Sequence, residues 1–569
     1  MRKFLQCALA CSLFFTSASA QGLKWAKSFG GSGIDGGHVI AVDDTGNVYT
    51  SGTFTGTVDF DPGAGTTNLT ATTGGKSIFV QKLDSSGNFV WAVSMGSSSP
   101  ENRPNSIKLD KLNNIIITGR FQGAVDFDPG AGVVNLANYG IANCFTLKLD
   151  NAGQYIWAKG IQGIAGDLGC ASAVDDSCNV FVVGDFFGVT DVDPGAGTLN
   201  FNSAGFWDIF IIKLDSSGAF KWGRQIGSGN SERCYAVTTD TAGNMYACGQ
   251  YTDMVDFDPG PGVSTLPGGN INPFILKLDR NGQYIWAKGT SGILGDGAAR
   301  NIALDRLGNV YTIGNFFGVI DFDTDGATLN FNGGPATSPD NFILKHNNNG
   351  DFVWAAQIKS EGANTNSFSL AIDTAFNIYT VGTFSDSIDV NPALPQEFLT
   401  TGETDTTGYI LKMNTGGAHI WSRAIQNVGP NGMVGVAADK RGYVYTTGNF
   451  SGTADFDFTV PVVNLSSGGM KDAFVQKLTA DTIPTSVVHV FYGHAGVSIY
   501  PNPANSTVHI SSSKNIDRLV LTDALGRKVY ECQPHTKNLS LDIEMPGIYF
   551  VTAINSAGNI STQKLVVAR

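Results

Sequence analysis

Seven of the eight tryptophans, Trp25, Trp91, Trp157, Trp222, Trp286, Trp354 and Trp421, fall at intervals of 66, 66, 65, 64, 68 and 67 residues. So constant a period means one structural unit written seven times, each copy burying its apolar surface against its neighbours. The repeated residues build a scaffold, and none of them forms a recognisable catalytic set. Trp207 alone is out of phase, which leaves a surface binding role open to it.

Four strand signals recur in each unit, seen first at His38 to Asp43, Val48 to Phe54, Ser77 to Asp84 and Asn88 to Met95. Each is a run rich in Val, Ile, Phe and Tyr bounded by turn residues. The first pair is joined by Asp43-Asp44-Thr45-Gly46-Asn47, where Asp caps its own turn and Gly accepts a left-handed conformation. The turn returns at Asp240 to Asn244 and Asp305 to Asn309, and in decayed form at Asp110, Asp175, Asp373 and Asp439. The second pair is joined by Asp84-Ser85-Ser86-Gly87, repeated at Asp150, Asp215 and Asp279. Two tight hairpins per unit give a four-stranded antiparallel sheet. We find no stretch of helical periodicity.

Seven such sheets predict a seven-bladed β-propeller, an all-β fold in which sheets pack radially and few edges stay exposed. The ends of the array fit closure. An orphan fourth strand, Leu23 to Phe29, precedes the first complete unit, and only three strands follow Trp421, ending at Asp472 to Leu478. The orphan is expected to complete the last blade and remove two edges. The in-phase tryptophans are then read as packing between blades.

Strand direction alternates, so both tight hairpins lie on one face and the longer connections on the other. Between its second and third strands each unit inserts an Asp-x-Asp loop: Asp59-Phe60-Asp61-Pro62-Gly63, Asp126-Phe127-Asp128, Asp191-Val192-Asp193, Asp256-Phe257-Asp258, Asp321-Phe322-Asp323-Thr324-Asp325-Gly326, Asp389-Val390-Asn391 and Asp455-Phe456-Asp457. Two readings stand for these carboxylates. Alternate Asp residues can wrap calcium, and Asp321, Asp323 and Asp325 match the opening of known calcium loops, with Asp59, Asp61, Asp126 and Asp128 as weaker copies. Alternatively, an Asp before Pro-Gly bonds local backbone groups without metal. No downstream Glu completes a calcium loop of the helix-loop-helix kind.

Catalytic constellations are sparse. The repeats hold only His38, His346 and His419, in no base-nucleophile or metal spacing, and there is no phosphate-cradling glycine loop. Paired carboxylates alone could still serve a glycosidase. A net charge of -13 without a basic stripe argues against nucleic acid. Cys234 and Cys248 fall on adjoining strands about the Asp240 turn, where a disulfide is feasible but depends on register.

Residues 1–20 read as a signal peptide: Arg2 and Lys3, an apolar run from Phe4 to Phe15, then Ala18-Ser19-Ala20. No later stretch has the roughly 18 apolar residues of a membrane helix. The predicted domains are the propeller over 21–478, a linker over 479–496 and a small immunoglobulin-like β-sandwich over 497–569, with seven short strand signals.

Two resemblances follow. The motifs Gly46-Asn47-Val48-Tyr49 and Lys82-Leu83-Asp84, with the in-phase tryptophans, resemble the seven-bladed β-propeller repeats of exported bacterial proteins. The C-terminal segment resembles the type A sorting domain of the Bacteroidetes type IX secretion pathway, through Tyr500-Pro501-Asn502-Pro503-Ala504, Asp523-Ala524-Leu525-Gly526-Arg527, Pro546-Gly547-Ile548-Tyr549 and Lys564-Leu565-Val566-Val567. That resemblance implies recognition by the type IX machinery and release or attachment at the cell surface. The expected function is a secreted or cell-surface adhesion scaffold whose long-loop face binds an extracellular glycan or surface protein. The alternative is a polysaccharide hydrolase or lyase using carboxylates on that face.

Overall fold

The first complete repeat folds as the four strands its pattern predicts, Gly36–Val42, Val48–Phe54, Ser77–Leu83 and Phe89–Gly96, hydrogen-bonded in chain order as one antiparallel sheet. In the turn after the first strand, Asp43 Oδ1 accepts the backbone N–H groups of Thr45 and Asn47 at 2.9 Å, and Gly46 adopts φ +85°. Where later copies lose that glycine the conformation persists, with Asn113, Cys178 and Phe376 at φ of 60° to 65°. Sheet pairing holds those residues in a region that side chains disfavour.

The computed structural model describes residues 22–136, 142–163, 167–292, 295–361, 365–391, 396–401, 406–427, 429–457, 462–479, 497–500, 507–523, 528–543, 547–555 and 560–567. Every regular element among them is a strand. The expected signal peptide, nearly all of the expected linker, and the sorting-motif residues Pro501 to Ala504, Ala524 to Arg527 and Pro546 lie outside the described residues. The chain divides into two compact units, one ending at Asp481 and the other beginning at Thr482.

In the first unit the opening strands of successive repeats, Gly36–Val42, Arg103–Leu109, Asp167–Val174, Arg233–Thr239, Asp296–Leu304, Asn366–Ile372 and Asn431–Ala438, contact one another in order, and the last contacts the first. Leu23–Phe29 pairs antiparallel with Asp472–Leu478, in a register from Leu23 opposite Leu478 to Phe29 opposite Ala473. The N-terminal strand thus completes the seventh sheet. Phe29 joins Phe54, Phe79, Tyr445 and Val475 in one buried cluster, so the first and last sheets share a core.

The repeated motifs meet between neighbouring sheets. Within the first sheet, Lys82 lies over the Tyr49 ring, 5.0 Å from its centroid, and Tyr49 also bonds Asp43. Trp91 Nε1 then reaches across to the Asn151 carbonyl at 3.1 Å, in the next sheet's second hairpin. Trp25, Trp157 and Trp354 donate in the same way to Ser85, Ser216 and Thr415. The turn glycine beside each acceptor lies flat on the incoming indole, so a Cβ on Gly87 would come within 2.9 Å of Trp25. Among the described residues, Trp286 and Trp421 leave Nε1 without a partner. For Trp421, no third-to-fourth-strand hairpin of a following unit is present among the described residues.

The second unit is one sheet of six strands, Val497–Tyr500, Thr507–Asp523, Lys528–Cys532, Thr536–Asp542, Gly547–Asn555 and Ile560–Val567. Two of the seven expected strands are halves of the 17-residue strand Thr507–Asp523, which pairs with four neighbours and is irregular between Ser511 and Ile516. The polar run Ser511-Ser512-Ser513-Lys514 lies between the two expected strands, yet the strand continues through it. Val508, Ile510, Leu519, Leu521, Val551 and Leu565 form its core.

Candidate functional site

The Asp-x-Asp segments are tips of small hairpins on the long-connection face, such as Thr57–Asp59 paired with Asn68–Thr70. Their middle residues, Phe60, Phe127, Val192, Phe257, Phe322, Val390 and Phe456, are fully buried. Phe60 packs tilted on Phe79 at 5.0 Å and edge-on to Phe54 at 5.2 Å, and Gln81 Nε2 donates to its carbonyl. The flanking carboxylates serve the tip. Asp59 Oδ1 accepts from the amides of Asp61 and Thr67, and Asp61 Oδ1 from Gly63. Asp126 accepts from Asp128 and Val134, and Asp128 from Gly130.

The fifth copy differs at its third acid. Asp321 Oδ1 accepts from the amides of Asp323 and Leu329, and Asp323 Oδ1 from that of Asp325. Asp325 turns away to an ion pair with Lys288 Nζ at 2.6 Å and to the Phe352 amide at 2.6 Å. Burial would raise the Asp325 carboxyl, but those two donors outweigh it and hold it below the usual carboxylate range. No group of three or more metal-ligating side chains in metal-binding geometry occurs among the described residues.

The third unit breaks the repeat. Its second and third strands lengthen to Val180–Asp191 and Asn200–Leu214, and they continue pairing past the sheet through Val189 opposite Asn202. Trp207 lies on this extension opposite Phe187, ring centroids 6.1 Å apart, with the Arg233 guanidinium 5.1 Å from its centroid. Phe206 beside it is 61% exposed, and Phe187 and Val189 also reach solvent. The backbone is pinned by Phe206 N–H donating to Asn230 and Glu232 N–H donating to the Trp207 carbonyl. The period identifies Trp207 as out of phase; the partnering of Phe187 and Arg233 depends on a register that one sequence does not reveal.

The three histidines of the first unit's repeats are half-buried or buried. Burial pushes His38 down to about 3 and His346 to about 4, and His346 Nε2 is 2.9 Å from Thr324 Oγ1. Burial also lowers His419, against the pull of Glu397 at 3.2 Å. Among the acids, burial pushes Glu232 up to about 7, opposed by hydrogen bonds from Ser228 and reinforced by nearby Asp208. Both carboxylates are fully buried, so neither faces a substrate-accessible surface. Cys234 and Cys248 are free thiols, because the ladder sets Cys234 opposite Gly249 and Cys248 opposite Ala236 across a bulge. Cys144 is disulfide-bonded.

Residues 498–568 match the family of secretion system C-terminal sorting domains. An uncharacterised WD repeat-containing protein of Acanthamoeba polyphaga mimivirus is 25% identical over 433 residues, which is 64% of this chain and 31% of that protein. The chain therefore spans less than a third of that relative's length. Among solved structures, a protein of unknown function from Dyadobacter fermentans is similar at 10% identity and TM-score 0.35, over 66% of this chain and 93% of that one. PorZ, a surface component of the type IX secretion system of Porphyromonas gingivalis, is similar at 10% identity and TM-score 0.14, over 96% of this chain and all of that one. The sorting domain at its C-terminus marks this chain for the type IX route and places the protein outside the cell, secreted or at the cell surface.

Proposed function

We propose that the first unit is a closed seven-bladed β-propeller that acts as an extracellular binding scaffold, with its ligand-contacting surface on the long-connection face of the third unit. The cyclic contact of the seven opening strands and the N-terminal strand in the last sheet support the propeller. The exposed Phe187 and Phe206, with the half-buried Trp207 beside Arg233, carry the binding reading. Flat aromatic faces with a neighbouring guanidinium stack on the apolar faces of sugars and on the rings or cations of a protein partner. Of the two, an extracellular glycan is the ligand we propose, since a small aromatic platform with few other apolar neighbours suits a sugar ring.

For the acidic loops we propose turn stabilisation, supported by the carboxylate bonds to loop amides in each copy. A calcium role for Asp321 and Asp323 predicts cation uptake and thermal stabilisation in a calorimetric titration.

The test is a glycan-array assay on the full chain and on Trp207→Ala, each with calcium and with chelator, followed by product analysis on any polymer that binds. The account predicts binding that survives chelation, leaves the polymer intact and is lost in Trp207→Ala. Cleavage would move the assignment to a hydrolase or lyase. Binding indifferent to Trp207 would remove the third-unit platform.

A further inference from the structure

The seven opening strands enclose an axial cavity of about 290 Å³, at the small end of the roughly 300–1,000 Å³ typical of small-molecule sites. Every one of those strands contributes to its wall, yet none of the lining side chains is a carboxylate. The chain as a whole carries -13, so a wall without acid departs from its surroundings.

Two cations stand in that wall, Arg103 and Lys108, both on the strand Arg103–Leu109. They mark two levels of the cavity, and the bulge between Pro104 and Ser106 shortens the span between them and brings both, five residues apart, onto the same wall. Both side chains keep contact with water, and neither forms an ion pair among the described residues. The surrounding wall withdraws enough water to lower the Lys108 ammonium with no offsetting carboxylate, and with Arg120 to lower Arg103, while both residues stay exposed to solvent. A third guanidinium, Arg300, stacks 4.4 Å from the centroid of Tyr235, itself a lining residue. Asn301, Thr238 and Ser369 add neutral hydrogen-bonding groups. Such an arrangement leaves positive charge uncompensated in a confined, partly desolvated space, where a charge-assisted contact is stronger than at an open surface.

We propose that the axial cavity is a binding site for a small oxyanion, a phosphate- or carboxylate-bearing molecule about the size of one sugar, held between Arg103 and Lys108. The site is separate from the third-unit aromatic platform and does not depend on it.

The test is calorimetric titration of the full chain at constant ionic strength with three probes: inorganic phosphate, glucuronate and glucose as the neutral match. We expect saturable one-site binding of phosphate or glucuronate and none of glucose, and the stronger of the two identifies the anion class. Affinity should fall on the order of tenfold in Arg103→Gln and in Lys108→Gln, the loss of one charge-assisted contact, and recover in Arg103→Lys and Lys108→Arg. Among the described residues neither side chain holds a partner that its loss would strand, and the wild-type titration stands whatever the variants do. Absence of saturable anion binding in the wild type, or affinity unchanged in both glutamine variants, would overturn the proposal.

Discussion

At the scale of single residues, the period of the tryptophans and the turn glycines was legible, because both recur at constant spacing. Their partnership was not, since six of the seven in-phase indoles, all but Trp421, meet the glycine of the following unit some sixty residues on. Gly87 has φ +81° and Trp25 against its Cα, whereas Gly56 has φ +69° and open space. Gly87→Ala should therefore cost backbone strain plus overpacking, on the order of 2–4 kcal/mol, against about 1 kcal/mol for Gly56→Ala. Denaturant midpoints of the two variants measure the difference. Glu232 provides a pH signature. Burial, with Asp208, raises its folded pKa to about 7, above the usual 4.5, so the neutral acid is the form the fold prefers. The associated stability is complete below about 4.5 and is lost as pH rises towards 7. Wild-type stability should fall by on the order of 2 kcal/mol between pH 5 and pH 8, and Glu232→Gln should flatten that slope. An unchanged slope in the variant would assign the effect to other groups.

At the scale of elements, the Asp-x-Asp hairpin shows where sequence reading stops. Carboxylates are conspicuous in a sequence and invite both the metal and the turn reading. The residue between them anchors the loop: Phe322 sits among Phe316, Phe331 and Phe342 with centroids 4.9 to 5.2 Å away. Alternation already implies that a residue between two outward-facing Asp side chains points inward, so the signal was present. Phe322→Ala should cost about 3–5 kcal/mol as a cavity in an aromatic cluster. Asp321→Ala should cost about 1–2 kcal/mol by stranding two loop amides, equally with calcium or chelator present. A calcium-dependent loss at Asp321 would favour the metal reading. The extended third-unit hairpin was not legible because its added pairs, Val189 to Asn202 and Asp191 to Asn200, use the same residue types as the short hairpins elsewhere.

At the scale of the whole molecule, strand count at the two ends of the array foretold that Leu23–Phe29 would pair with Asp472–Leu478, because a deficit of one strand matched a surplus of one. The contents of the axial cavity were hidden, since Arg103 and Lys108 acquire meaning only when seven strands distant in sequence form one wall. Joining the ends in one sheet couples the first and seventh repeats, so the third-unit platform and the cavity sit on a frame without loose ends. Native-state hydrogen exchange tests that coupling most directly. Amides of Leu23–Phe29 should exchange as slowly as those of the central strands Val48–Phe54 and Val444–Phe450, and only with opening of the whole ring. Rapid exchange confined to Leu23–Phe29, while Val444–Phe450 stays protected, would contradict closure.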